Sequence, residues 1–238
     1  MISVSGLTKR YGTVTALRAF SLEVSRGEIV ALVGPNGAGK TTALKLIVGL
    51  LLPTEGAVQV DGLDVHRAAL EVRRRLAFLP DQPFLYEQLT VAEMLGFIGG
   101  MYCLDPSTLQ TRADLLLEQF DLTTSLHRRI SQLSYGMKSR LALIATLLHD
   151  PQALVMDEPF FGLDPQTLRS VKHLLIDGAR RGLTVLLSTH QLTVVEDLAH
   201  RVVVIDHGQI VAMGTLAELR RQYGNQHLED LFFQLTTR

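Results

Sequence analysis

Gly34-Pro35-Asn36-Gly37-Ala38-Gly39-Lys40-Thr41 lies between an apolar run, Ile29-Val30-Ala31-Leu32-Val33, and a stretch that reads as helix from Lys40 to Leu50. Two glycines separated by four residues, then Lys and a hydroxyl residue, form the phosphate-loop pattern, and a strand before and a helix after are the context it requires. The glycines let backbone N–H groups turn inward around phosphates, and the helix start adds its partial positive charge at the same point. Gly34 to Thr42 are therefore the expected contacts to a nucleoside triphosphate. Lys40 reaches the β- and γ-phosphates and takes part in catalysis, while the Thr41 hydroxyl ligates Mg²⁺.

The rest of the chain agrees with a globular nucleotide-binding protein. Its 238 residues suffice for one large domain, or for a core with a smaller lobe. With 47% hydrophobic and 20% charged residues and a net charge of −1, it has no global attraction for nucleic acid or anionic lipid, and no nucleic-acid partner is expected. Cys103 is the only cysteine, which excludes an internal disulfide framework and favours the cytosol. No run of about 18 apolar residues occurs, and Met1 to Tyr11 lacks the pattern of a secretory signal.

Strand signals fall at Phe20 to Val24, Ile29 to Val33 and Ala57 to Val60, the last followed by an Asp61-Gly62 turn. From Pro83 to Asp150 the spacing turns helical, through Val91 to Ile98, Ala113 to Phe120 and Leu141 to Leu148. Short apolar strands return at Ala153 to Met156, Val185 to Leu187 and Val202 to Ile205, with a helix over Leu168 to Ala179. This alternation implies an α/β fold with a mainly parallel sheet. The expected organisation is a single domain. Residues 1–82 and 151–215 form its nucleotide-binding core, 83–150 an inserted helical lobe, and 216–238 a helical tail whose Leu231-Phe232-Phe233 cluster packs on the body. Arg73-Arg74-Arg75 reads as a solvated helix face, with phospholipid contact as an alternative.

Asp157 and Glu158 end an apolar strand with no other charge in it, and the carboxyl ends of parallel strands are where ligands sit. An unpaired carboxylate there is costly, so a cation is its natural partner. Asp157 is assigned to the Mg²⁺ shell and Glu158 to polarising the water that attacks the γ-phosphate. Ser188-Thr189-His190 ends another apolar strand and should reach the same crevice, where His190 is either structural, as strand-end histidines usually are, or, as the resemblance given next implies, hydrogen-bonds the γ-phosphate and orients that water.

Leu133-Ser134-Tyr135-Gly136-Met137, followed by a helix and the Asp157-Glu158 segment, resembles the signature motif of ATP-binding-cassette (ABC) proteins. Phosphate loop, signature, carboxylate pair, Gly162-Leu163-Asp164-Pro165 and His190 stand in that family's order over nearly the whole chain. The resemblance implies a phosphate-loop NTPase core with an N-terminal antiparallel β portion and an inserted helical lobe. It also implies that two cassettes, identical or not, pair head to tail around two ATP molecules, with Ser134, Gly136 and Asp164 added to the nucleotide contacts. Ser134 and Gly136 would act on the partner's ATP, and Ser134 also suits the N-cap of its helix. Tyr135 and Met137 depart from the usual glycine and glutamine. The family's Mg²⁺-directed glutamine falls in Leu79-Pro80-Asp81-Gln82-Pro83, at Asp81 by simple alignment or at Gln82 one position later. Tyr11, after the first strand, stands where the family stacks an aromatic ring on adenine, or else it is packing.

By the same resemblance, Phe84-Leu85-Tyr86 is either lobe core or the surface that receives the cytoplasmic helices of a membrane subunit. The implied protein is an ATPase, with ATP and Mg²⁺ as cofactors, that powers a separately encoded membrane-spanning partner from the cytoplasmic face of the membrane. Its wording leans to exporters. Two rivals are a soluble cassette ATPase acting on DNA or ribosomes and a phosphotransferase. The first lacks the long coiled coil or second cassette it needs, and the second lacks an acceptor site.

Overall fold

The computed structural model describes residues 1–224 and 227–236. Residues 225–226 and 237–238 of the expected tail lie outside the described residues. A six-stranded sheet runs in the order β10-β9-β3-β8-β7-β6. Its strands are β3 (Ile29–Val33), β6 (Leu76–Leu79), β7 (Ala153–Asp157), β8 (Thr184–Ser188), β9 (Arg201–Asp206) and β10 (Gln209–Gly214). Neighbours are parallel except β9 and β10. A second, antiparallel sheet has the order β2-β1-β4-β5, from β1 (Ile2–Tyr11), β2 (Val14–Val24), β4 (Glu55–Val60) and β5 (Leu63–Asp64).

Every residue of β3, β7 and β8 is buried, because both faces of a parallel sheet are covered. The two-residue period of a strand sorts these side chains into two cores. Val30, Leu32, Val155 and Leu186 join a core with α1 (Lys40–Ile47) and the antiparallel sheet. Ile29, Ala31, Leu154 and Val185 face the other way, into a core shared with the remaining long helices.

Between β6 and β7 come α2's successors, α3 (Val91–Met101), α4 (Pro106–Gln119) and α5 (Tyr135–Leu147), where α2 is Ala69–Arg75. Each start has a chemical cause. Thr90 and Glu93 form a capping box, Asp105 precedes Pro106 and accepts from Thr108 N–H, and Ser134 accepts from Met137 N–H. Buried Met94, Leu117, Ile130 and Leu141 merge this lobe with the sheet's helical-face core. Beyond β7 follow α6 (Pro165–Arg180), α7 (Leu192–Leu198), α8 (Leu216–Tyr223) and α9 (Leu228–Thr236). Among the described residues no helix is long and apolar enough to cross a membrane.

Some expectations shift. α1 stops at Ile47, short of Leu50, because Gly49 turns left-handed at φ 72° and the Leu50 N–H returns to the Lys45 carbonyl. Tyr11 closes β1, where it was expected to follow the first strand. In the tail, Leu231 is buried and Phe232 partly buried, but Phe233 is exposed, so one member of that cluster points outward. Arg73 and Arg74 are exposed as expected of a solvated face, while Arg75 pairs with Asp61 at 3.2 Å.

Candidate nucleotide site

β3 delivers the phosphate loop to the carboxyl end of the sheet, and α1 departs from it. The loop is tight by necessity: a β-carbon on Gly34 would sit 2.3 Å from the Ile205 carbonyl oxygen, and Gly39 holds φ at 105° immediately before α1. No side chain caps α1, so its first N–H groups face outward for an anion. Lys40 is buried. Its ammonium donates to the carbonyls of Gly34 at 2.7 Å and Pro35 at 3.1 Å. Burial lowers its pKa below the ordinary lysine value, opposed by the nearby carboxylates of Glu158 and then Asp157. Ala38 is buried beneath the loop, and its carbonyl accepts from Gly208 N–H.

A cleft of about 290 Å³ opens on this loop. Lining it are Asn36, Gly37, Gly39, Lys40, Thr41 and Thr42 from the loop and helix, with Ala16, Asp81, Asp157 and Glu158 opposite. A larger crevice, about 690 Å³, holds Asp150, His173, Asp177 and Arg181 and shares no residue with the cleft.

Asp157 is 2% exposed at the end of β7, in parallel register with Ser188 on β8. That register lets the Ser188 hydroxyl donate to Asp157 Oδ1. The sequence places Ser188 at the end of a strand reaching this crevice, and only the pairing of the two strands assigns it to Asp157. Glu158 takes a left-handed backbone at φ 49°, an uncommon state for this residue type that bends the chain out of the strand. Its N–H donates to the Ser188 carbonyl, and its Oε2 lies 2.9 Å from His190 Nδ1. Loop, carboxylate pair and histidine thus converge from β3, β7 and β8.

The other expected residues divide between the cleft and places outside its lining. Asp81 lines the cleft, whereas Gln82 is outside its lining. Tyr11 is exposed, with the Lys9 ammonium 5.0 Å above its ring, and is not part of the lining either. Asp164 caps α6, accepting from Gln166 and Thr167 N–H and from the Thr167 hydroxyl, and the last of these leads in lowering its pKa. Ser134 and Gly136 stand on the lobe, and a β-carbon on Gly136 would meet no atom within 4 Å. Of Phe84-Leu85-Tyr86, Leu85 packs inward, while Phe84 is 78% exposed and stacks edge-on with Tyr86, which stacks in turn on Phe97.

The donor set fits an ATP–Mg²⁺ ligand. Thr41 and Asp157 supply the hard oxygens that Mg²⁺ accepts alongside phosphate and water, and the loop supplies N–H groups and an ammonium for phosphate.

The model of the ABC transporter family matches residues 17–161. The chain is 39% identical over 228 residues to the daunorubicin resistance ATP-binding protein DrrA3 of Streptomyces coeruleorubidus, a match covering 96% of this chain and 72% of that protein. A solved ATP-binding subunit of an ABC transporter superposes with a TM-score of 0.94 at 34% identity, covering 99% of both chains. A bacterial ABC transporter cassette solved as a dimer superposes at 0.80 with 27% identity, over 91% of this chain and 99% of that one. With a family match over more than half its length and these relatives beside it, the chain belongs to the ABC transporter family.

Proposed function

We propose that the protein is the ATP-binding and ATP-hydrolysing subunit of a transporter whose membrane-spanning part is a separate chain. The observation that carries this reading is the convergence of Lys40, Thr41, Asp81, Asp157 and Glu158 on one cleft. The loop N–H groups and Lys40 would hold the β- and γ-phosphates, and Thr41 and Asp157, with Asp81 in the same cleft, would hold Mg²⁺. When bound, Mg²⁺ neutralises charge building on the transferred phosphoryl group. Glu158 accepts the proton of the attacking water, and His190, whose Nδ1 lies 2.9 Å from Glu158 Oε2, presents Nε2 to the γ-phosphate and donates there as the imidazolium.

Tyr11 provides an exposed ring for adenine at the end of β1. Ser134 and Gly136 offer a helix start whose surroundings within one protomer are open, which suits a nucleotide held by a second cassette. Asp164 shapes the loop beside that face. Such a sandwich closes when ATP binds and opens after hydrolysis, and this cycle drives the membrane partner. The dimeric cassette among its structural neighbours supports the pairing. The exposed aromatic row Phe84-Tyr86-Phe97 is the surface for the partner's cytoplasmic helices at the membrane's cytoplasmic face. The resistance protein among its relatives favours an exporter.

Purification of the full chain from detergent-solubilised membranes tests this reading. It should bring down an integral membrane protein whose presence raises ATP turnover. Recovery of ribosomes without any membrane protein, or phosphate transfer to a small acceptor instead of water, would contradict it.

A further inference from the structure

The ring of Tyr135 rests on Gly162. A β-carbon built on Gly162 would come within 2.5 Å of Cε1 and 3.3 Å of Cδ1 of the 59% exposed Tyr135, and the backbone there holds φ at 70°, a conformation that favours glycine. Tyr135 opens α5 between Ser134 and Gly136, whereas Gly162 belongs to the turn from β7 to α6. One aromatic contact therefore joins the helical lobe to the loop that begins at Glu158.

That loop has little slack. Phe161 N–H returns to the Glu158 carbonyl at 3.2 Å, Leu163 N–H to the Phe160 carbonyl at 3.4 Å, and Asp164 is pinned as the cap of α6. Phe160 is buried in the core. Gly162 thus lies four residues along this hydrogen-bonded turn from Glu158, which itself sits in a left-handed conformation with Oε2 2.9 Å from His190 Nδ1. A glycine at position 135, as in the family's usual signature, has no ring to make this contact.

We infer that Tyr135 is a positioning residue: its ring, seated on Gly162, sets the start of α5 relative to the Glu158 loop. The inference rests on the proposed role of Ser134 and Gly136 toward the nucleotide of a second copy. The contact is made by ring carbons, so phenylalanine supplies it and alanine does not. A contact of this kind earns the name of coupling only if the two residues prove non-additive.

Steady-state ATP hydrolysis and equilibrium Mg-ATP binding on the full chain test it, with wild type, Tyr135→Phe, Tyr135→Ala, Gly162→Ala, the Tyr135→Ala/Gly162→Ala pair and Ser134→Ala in parallel. Tyr135→Ala should lower kcat about tenfold with Mg-ATP affinity unchanged, and Tyr135→Phe should stay within about twofold of wild type. Gly162→Ala should cost less in the Tyr135→Ala background than alone, since the ring it strikes is gone. Wild-type turnover in Tyr135→Ala beside a slow Ser134→Ala overturns this inference and leaves the proposed function standing. Wild-type turnover in both overturns this inference together with the role proposed for Ser134 toward the second cassette's nucleotide. A Tyr135→Phe variant as slow as Tyr135→Ala, or strictly additive effects of the pair, also overturns it.

Discussion

One oxygen of Glu158 meets His190 at two points: Oε2 accepts the His190 backbone N–H at 3.3 Å and lies 2.9 Å from His190 Nδ1. The acid at the end of β7 and the histidine beyond β8 are therefore one unit, and the second oxygen of Glu158 is left outside this pair.

Glu158→Gln keeps the size and a hydrogen-bonding oxygen but removes the base. ATP turnover should fall at least about a hundredfold, with Mg-ATP affinity within about threefold of wild type. His190→Ala should be comparably slow, at a loss of about 3 kcal/mol of transition-state stabilisation, and the two changes combined should cost much less than their sum. Phosphate release under saturating Mg-ATP measures all three.

Lys40 donates hydrogen bonds to two loop carbonyls and feels the charge of two nearby carboxylates, Glu158 and Asp157. Lys40→Ala should weaken Mg-ATP binding about 10- to 100-fold, the scale of a lost charged hydrogen bond. Equilibrium titration reads it directly.

The buried carboxylate of Asp157 takes its hydrogen bond from Ser188. Ser188→Ala strips that donor, so the nucleotide-free protein should lose about 1–3 kcal/mol of stability, visible in urea unfolding. Added Mg-ATP should recover part of it, because ligand binding favours the folded state.

His149 is buried, stacked on Tyr102 with ring centroids 3.8 Å apart, and neither ring nitrogen has a hydrogen-bond partner. Burial, aided by Arg112 and opposed by Asp150, lowers its pKa from 6.5 to about 4. Between those values the unfolded chain binds the proton that the folded one refuses. Stability should therefore fall as pH drops from 6.5 toward 4, by up to about 3 kcal/mol, and level off below. His149→Phe keeps the stack and should remove this part of the pH dependence in urea midpoints at pH 7 and 5.

The sequence spoke most clearly where physics left few options. β3, β7 and β8 are apolar on both faces, and the phosphate loop between β3 and α1 carries its own explanation in Gly34 and Gly39. β1 shows no clean alternation because its pairing slips around Gly6, at φ 56°, so the strand before Tyr11 is expected from the resemblance alone. β10 is an edge strand with exposed residues, and α7 has seven residues and no side-chain cap, so neither gives a strong periodic signal. Ser134 as a helix cap is ordinary chemistry, and only its company along the chain marks it. The Ser188–Asp157 bond and the Tyr135–Gly162 contact depend on register and packing between distant segments, which local patterns do not encode.

Light scattering of Glu158→Gln with saturating Mg-ATP tests the account most directly. Nucleotide held between facing cassettes predicts a particle of twice the 26.3 kDa protomer that reverts when Mg-ATP is removed. A particle that stays at the protomer mass, with the membrane partner present as well as without it, would contradict the account.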